Sequence, residues 1–433
     1  MKSKKSYFKN SVFSSSWMIY LSATLIIGLL LRLTYVNDME YKEDEEYNFI
    51  QTQLIGITQP WPWYGMPSGV YLANPGMSIW VFAILAKLFG ITQPTSLAHA
   101  VQLFSVFGMS LILPFVWKFI QEKKEKITWL WAFLLAMVNP FLVLYQRKLW
   151  PEPFLPFFSM LTLMGWWKKN HWQGALTWGL IGALIGQVHM SGFFFALALV
   201  LWTLFFDSDQ NKTHWKFWWM GSFLGTLPLI PWFKFLFQNP IDQPLSRGWE
   251  EMIQLKYWTF WLTDPTGLHL GNPLGLLRGN SNWDQISDFI RYPLIQGHPS
   301  FLVGLAHLTT LLSVLFILQS AVIQLWANRK QTASLLIGKS SKTAFVQSSA
   351  FWGCGILLTL TGINIRRYYL TVTFPLEFIF LIRMANPEKK LGKILLTLLF
   401  FSELFISANF VSYIHINGGS IQGDYGKAYY LSK

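Results

Sequence analysis

The stretch "SWMIYLSATLIIGLLLRLTYVNDMEYKEDEEYNFI", residues 16–50, sets a long apolar run directly before an acidic one. A helix needs about 20 apolar residues to cross a bilayer, and residues 16–36 supply them. The carboxylates that follow, Glu43, Asp44, Glu45 and Glu46, repel one another and gain nothing from lipid. They must face water, and a chain so poor in acids has reason to keep four together only if they act there.

Composition extends this reading to the whole chain. Charged residues make up 13% of the 433, about half the ~25% of a soluble domain, so much of the surface must meet lipid. The net charge of +13 does not indicate nucleic acid, because Lys and Arg fall in short clusters between apolar runs rather than along a polar stripe. The single cysteine, Cys354, excludes an internal disulfide. The first apolar run lacks a small-residue cleavage site and reads as a retained helix.

Eleven runs read as spans: 16–36, 97–119, 127–145, 153–167, 173–190, 192–206, 215–237, 300–327, 344–363, 368–383 and 394–414. A twelfth, 76–90, is short and carries Lys87, and reads as an interfacial helix. With the N-terminus cytoplasmic, "KSKK", "EKKEK", "WWKKNHW", "NKTHWK" and "NPEKKLGK" all face inward, as the positive-inside rule requires. The expected fold class is therefore an all-α polytopic membrane protein of about 11 transmembrane helices. It forms one membrane-embedded domain over 1–433, with interfacial helices in the first outer loop. Two outer segments are long: 37–96, with the acidic motif, and 238–299, rich in Trp. Within the latter, "MIQLKYWTFWL" reads as a further interfacial helix, and the aromatics suit either sugar stacking or anchoring at the interface.

Charge that breaks the inward pattern collects outside. Besides Asp38, Glu40 and Glu43 to Glu46, "QRKLWPEP" carries Arg147, Lys148 and Glu152, and "NIRRYY" carries Arg366 and Arg367. His189 in "QVHMSG" and Lys234 fall on the same side. Carboxylates can take a proton from a hydroxyl, and guanidiniums can hold a phosphate by paired hydrogen bonds. Transfer of a sugar from a lipid phosphate needs both. Taken singly, Arg147 and Arg366 also read as snorkelling side chains, the acidic run as a solvated loop, and His189 as structural.

The ordered motifs resemble those of the GT-C membrane glycosyltransferases, in particular the protein O-mannosyltransferases and the aminoarabinose transferases of lipid A. "DEEY", Asp44 to Tyr47, matches the Asp-Glu pair after the first helix. "YLANPGMSIWVFAILAKLFG" is similar to the proline turn and apolar helix ending in "LFG", with Asn74-Pro75 in place of Pro-Pro. "YQRKLWPEPFLPFF" looks like the second outer segment, with Glu152 in its acidic slot, and "RRYYLTVTFP" resembles a late helix start. The large soluble C-terminal domain of some relatives has no counterpart here.

The resemblance implies an inverting transfer from a polyprenyl-phosphate sugar to a hydroxyl of a glycan, lipid or protein at the outer face of a membrane, expected to be a bacterial inner or plasma membrane. Asp44 would be the base and Glu45 would share or orient it. Arg147, Lys148, Arg366, Arg367 and His189 would bind the donor phosphate. Glu152 and Glu46 would support the site or hold a metal, a divalent cation being left open. The competing class is a transporter or flippase, suggested by Glu377 and Glu403 inside apolar runs. The tail "HINGGSIQGDYGKAYYLSK", with Asp424, reads either as a plain cap or as a turn that can fold back to the site.

Overall fold

The computed structural model describes residues 15–68, 72–239, 248–268, 288–327, 332–419 and 425–432. Asp424 and much of the 238–299 segment lie outside these residues. Helices dominate. Two short antiparallel hairpins, Tyr64–Pro67 with Ala73–Pro75 and Leu294–Ile295 with His298–Pro299, are the paired strands among the described residues.

Among the described residues, five helices are long and apolar enough to cross a membrane: Pro94–Phe119, Trp215–Gln238, Leu302–Ala327, Lys342–Leu360 and Lys390–Asn417. Two bent pairs raise the number to seven if each is one span. Trp17–Leu33, Met77–Phe89 and Ser191–Phe206 are apolar but shorter.

The bends depart from the straight spans expected at 127–145 and 368–383, and proline causes both. Lys123–Val138 and Pro140–Gln146 meet at 55°, and Arg367–Thr373 and Leu376–Ala385 at 83°. Pro140 and Pro375 lack an N–H and crowd the preceding turn, so neither helix can run on. Asn139 restarts the first, its side chain accepting from Leu142 N–H at 3.1 Å. Residues 252–262, expected as one interfacial helix, belong instead to two short ones, Trp249–Ile253 and Lys256–Thr263, divided at Leu255 with φ of 47°.

A broken helix leaves backbone carbonyls without partners, and two buried arginines answer this reciprocally. Arg32, near the end of the opening helix Ser15–Leu33, donates to Met137 O at 2.8 Å and Ala136 O at 3.4 Å, the carbonyls stranded before the Asn139–Pro140 break. Its Nε donates to Gln146 Oε1 at 2.5 Å. Arg147, just past Gln146, donates back to Arg32 O and Thr34 O, both at 2.8 Å, to Tyr35 O at 2.9 Å and to Leu31 O at 3.4 Å. Arg32 thus lies at the negative end of the Lys123–Val138 helix, and Arg147 at that of the opening helix Ser15–Leu33.

Arg147→Ala would remove the shared donor from four carbonyls in a closed site, of which Tyr35 O keeps the Asp38 N–H. Hydrogen bonds to charged groups contribute about 1.5–3 kcal/mol each, so a loss of several kcal/mol is expected. Thermal unfolding in detergent should show a midpoint lowered by many degrees for this variant and unchanged for Arg366→Ala, whose side chain is exposed.

Candidate functional site

The acidic run is the first turn of a helix. Glu43–Leu54 places Glu43, Asp44, Glu45 and Glu46 where the unpaired N–H groups and the helix dipole stabilise negative charge. Successive helical residues point about 100° apart, so four adjacent acids take four directions. Glu43 and Glu46 are exposed, Asp44 is half-buried and Glu45 is buried. Glu45 turns back to accept the Lys42 N–H at 3.1 Å, closing the helix start.

Two side chains fix this helix to the "QRKLW" segment. Asn48 donates to Leu149 O at 2.8 Å. Glu40, just ahead of the helix and fully buried, pairs with the buried Lys148 ammonium and with Lys42 at 2.5 Å. Lys148 also lies 4.3 Å above the Trp150 ring. The C-terminal tail returns to the same spot: Gly426 N–H donates to Glu40 Oε1 at 2.8 Å, Tyr41 N–H to Lys427 O at 3.0 Å and Tyr429 N–H to Met39 O at 2.9 Å.

Above this foundation lies a cavity of about 590 Å³, within the range typical of small-molecule sites. Asp44, Glu152 and His189 share its wall with Trp150, Tyr368 and Tyr369. The hairpin and Asn74 close one side. The hairpin is held by Trp232, which donates to Ala73 O at 2.9 Å, and by Tyr64 stacked on Phe235 at 3.9 Å. Gly76, at the start of the Met77–Phe89 helix, is needed for close approach, because a Cβ there would sit 2.2 Å from Pro62 O.

The electrostatics of the wall follow from burial. His189 Nδ1 accepts from the Ser191 N–H at 3.3 Å and lies 2.7 Å from its hydroxyl, which leaves the proton on Nε2. Nε2 faces Glu152 Oε1 at 3.6 Å. Burial raises the Glu152 pKa to about 8, so near neutrality the carboxyl holds its proton. Burial, then the neighbouring Glu40, raises Glu45 to about 8. Asp44 is raised too, chiefly by desolvation, with Lys42 opposing.

The expected phosphate-binding cations mostly lie elsewhere. Arg147 is fixed on backbone carbonyls and is absent from the cavity wall, and Lys148 is buried against Glu40. Arg367 is buried, paired with Asp264 at 3.2 Å and set 5.1 Å from the Phe260 ring centroid. These three have structural partners, because a buried charge needs one. Arg366 alone of the four is exposed, beside Tyr368 and Tyr369 of the cavity wall. Lys234 is exposed 4.9 Å from the Trp63 ring centroid. Glu45 and Glu46 do not line the cavity. Among the described residues no three of His, Cys, Asp and Glu come close enough to hold a metal ion.

The intramembrane acids have local partners too. Glu377 accepts from Thr373 at 3.1 Å and Glu403 from Asn139 at 3.2 Å, and neither lines the cavity. Sequence reading gave no role to Glu40, Trp150, Tyr368 or Tyr369. The last two stand in the quoted "NIRRYY", and Glu40 in the first acidic cluster, so the signal was present but not its direction.

No protein-family model matches the chain, and no curated protein sequence does. Solved structures do resemble it. The Archaeoglobus fulgidus oligosaccharyltransferase in the apo form is similar at a TM-score of 0.51 and 12% identity, over 94% of this chain and 57% of that one. Its complex with Zn and sulfate gives 0.50 and 13%, over 91% and 53%. ArnT from Cupriavidus metallidurans bound to undecaprenyl phosphate gives 0.44 and 12%, over 93% and 77%. The fold resembles that of the archaeal oligosaccharyltransferase, of whose length the chain spans a little over half.

Glu152 gives the site a measurable pH dependence. Its folded pKa lies above its unfolded value, so it adds stability at low pH that is lost as pH rises toward about 8. The window that reports it runs from the ordinary carboxylate range up to about 8. Each pH unit over which one extra proton is held is worth at most about 1.4 kcal/mol. Thermal midpoints should fall across this window, and fall less in Glu152→Gln. Equal slopes in the two proteins would contradict the buried, protonated carboxyl.

Proposed function

We propose that the protein transfers a sugar from a polyprenyl-phosphate-linked donor to an acceptor hydroxyl, with inversion, at the outer face of an eleven-span membrane domain whose N-terminus is cytoplasmic. The observation that carries this reading is the meeting of Asp44 with Glu152 and His189 on one cavity, in a chain of GT-C fold.

In this mechanism Asp44 takes the acceptor's proton as its oxygen attacks the anomeric carbon. The bond from that carbon to the phosphate oxygen breaks on the opposite face, and the polyprenyl phosphate leaves with the electron pair. Desolvation, which raises the Asp44 pKa, makes the carboxylate a stronger base than a solvated one. Glu45 orients the helix start from below, through its bond to the Lys42 N–H. Arg366, at the rim, holds the donor phosphate and favours its departure. The neutral His189 and protonated Glu152 offer hydrogen bonds to the sugar without adding net charge.

The reading also accounts for the acidic helix better than transport does. A transport path would use Glu377 and Glu403, and both are already held by neighbouring side chains away from the cavity.

Membranes with and without the protein, supplied with radiolabelled polyprenyl-phosphate sugars, test it. Label should reach a new acceptor only with the protein. Asp44→Asn should lower the rate about 10²–10⁴-fold, the usual contribution of a positioned base, with expression and thermal midpoint unchanged. A fully active Asp44→Asn protein would remove the assignment.

A further inference from the structure

Arg366 is an exposed cation on irregular backbone, residues 363–366 being neither helix nor strand. A group that acts on a reacting centre must be held in place, since a displacement of about 1 Å can cost ~10²-fold in rate. The strip is tied down on both sides of Arg366. Both ties run to one element, the outer-loop helix Lys256–Thr263 and the Asp264 turn that follows it. Two residues before Arg366, Asn364 Oδ1 accepts from Lys256 Nζ at 2.7 Å. One residue after it, Arg367 pairs with Asp264 at 3.2 Å.

The helix is itself fixed to the bundle. The Tyr257 hydroxyl donates to Ala350 O at 2.7 Å, and Trp258 Nε1 to Phe351 O at 3.0 Å. Lys256 is mostly enclosed, and its ammonium also meets Glu251 at 2.6 Å. It is therefore held between two oxygens, one on its own loop and one on the strip that carries Arg366. That strip and its continuation supply Thr361, Ile363, Tyr368 and Tyr369 to the cavity wall.

We propose that Lys256 is a positioning residue: it fixes Asn364, and so holds Arg366 where the donor's lipid phosphate sits, without touching that phosphate. The inference rests on the transferase reading, which gives Arg366 the phosphate, and it assigns the outer loop a part in donor binding. Arg367 secures the strip from the other side, but removing it would strand the buried Asp264 carboxylate. The Lys256 tie can be cut without that cost, from either end.

Binding of undecaprenyl phosphate and of undecaprenol to the full chain in detergent, measured by microscale thermophoresis, is the test. Arg366→Ala and Lys256→Met should each weaken the phosphate-bearing lipid about tenfold and leave the alcohol unchanged. Asn364→Ala, which spares the Lys256–Glu251 pair, should match Lys256→Met, and Lys256→Arg should retain binding. In the Arg366→Ala background Lys256→Met should lose nothing more, because no guanidinium is left to position. The proposal is overturned if the two losses add, which would put Lys256 on the phosphate itself. It is also overturned if Asn364→Ala or Arg366→Ala binds the phosphate like the unaltered protein, or if the alcohol is lost equally, which marks a general structural role. Coupled losses in a protein that moves no label from a lipid-linked sugar support the tie and count against the transferase reading alone.

Discussion

A buried ion pair, Glu40 with Lys148, holds the site together. Both groups are almost fully enclosed, where an unpaired charge would cost several kcal/mol. The pair joins the loop that follows the first helix to the segment that follows the broken span. The Gly426 N–H, on the same carboxylate, adds the end of the chain as a third party. Whatever moved one of these segments would strand a charge, so they are fixed together. The acidic helix starts three residues after Glu40, and this is why Asp44 faces the cavity while Glu45 faces inward.

The same logic explains the wider architecture. Pro140 breaks a helix inside the bundle and so exposes carbonyls where no water can reach them. Arg32 answers that need, and Arg147 answers the matching need at the end of the opening helix. The break in turn lets the chain bring Lys148, Trp150 and Glu152 up to the acidic helix. Irregular backbone beside a cavity is thus held by buried cations, and few are left over to bind phosphate.

The membrane class, the acidic helix and the three segments that build the cavity could be read from the sequence, because hydrophobic length and misplaced charge are local signals. "DEEY", "QRKLWPEP" and "NIRRYY" all border the site. Direction could not be read. Arg147 and Arg366 look alike as outward arginines, yet one is enclosed by carbonyls and the other is exposed, a difference set by the tertiary position of residues 31–35. The bends were legible in principle at Asn139-Pro140 and Phe374-Pro375, where proline stands inside an apolar run. Unbroken hydropathy concealed them. The fold-back of the tail could be read from its glycines, but not its landing on Glu40, which depends on backbone pairing between residues 39–41 and 427–429.

A double-mutant cycle on Glu40→Gln and Lys148→Met, read by thermal unfolding in detergent, addresses the foundation itself. Glu40→Gln leaves the Lys148 charge buried without the Glu40 carboxylate and should cost about 3–5 kcal/mol, and Lys148→Met should cost less, because Glu40 keeps Lys42. The double variant should be markedly more stable than the sum of the two losses predicts, a coupling of 1 kcal/mol or more in rough terms. Simple additivity would mean that the two groups do not depend on each other, and the acidic helix would then need some other anchor.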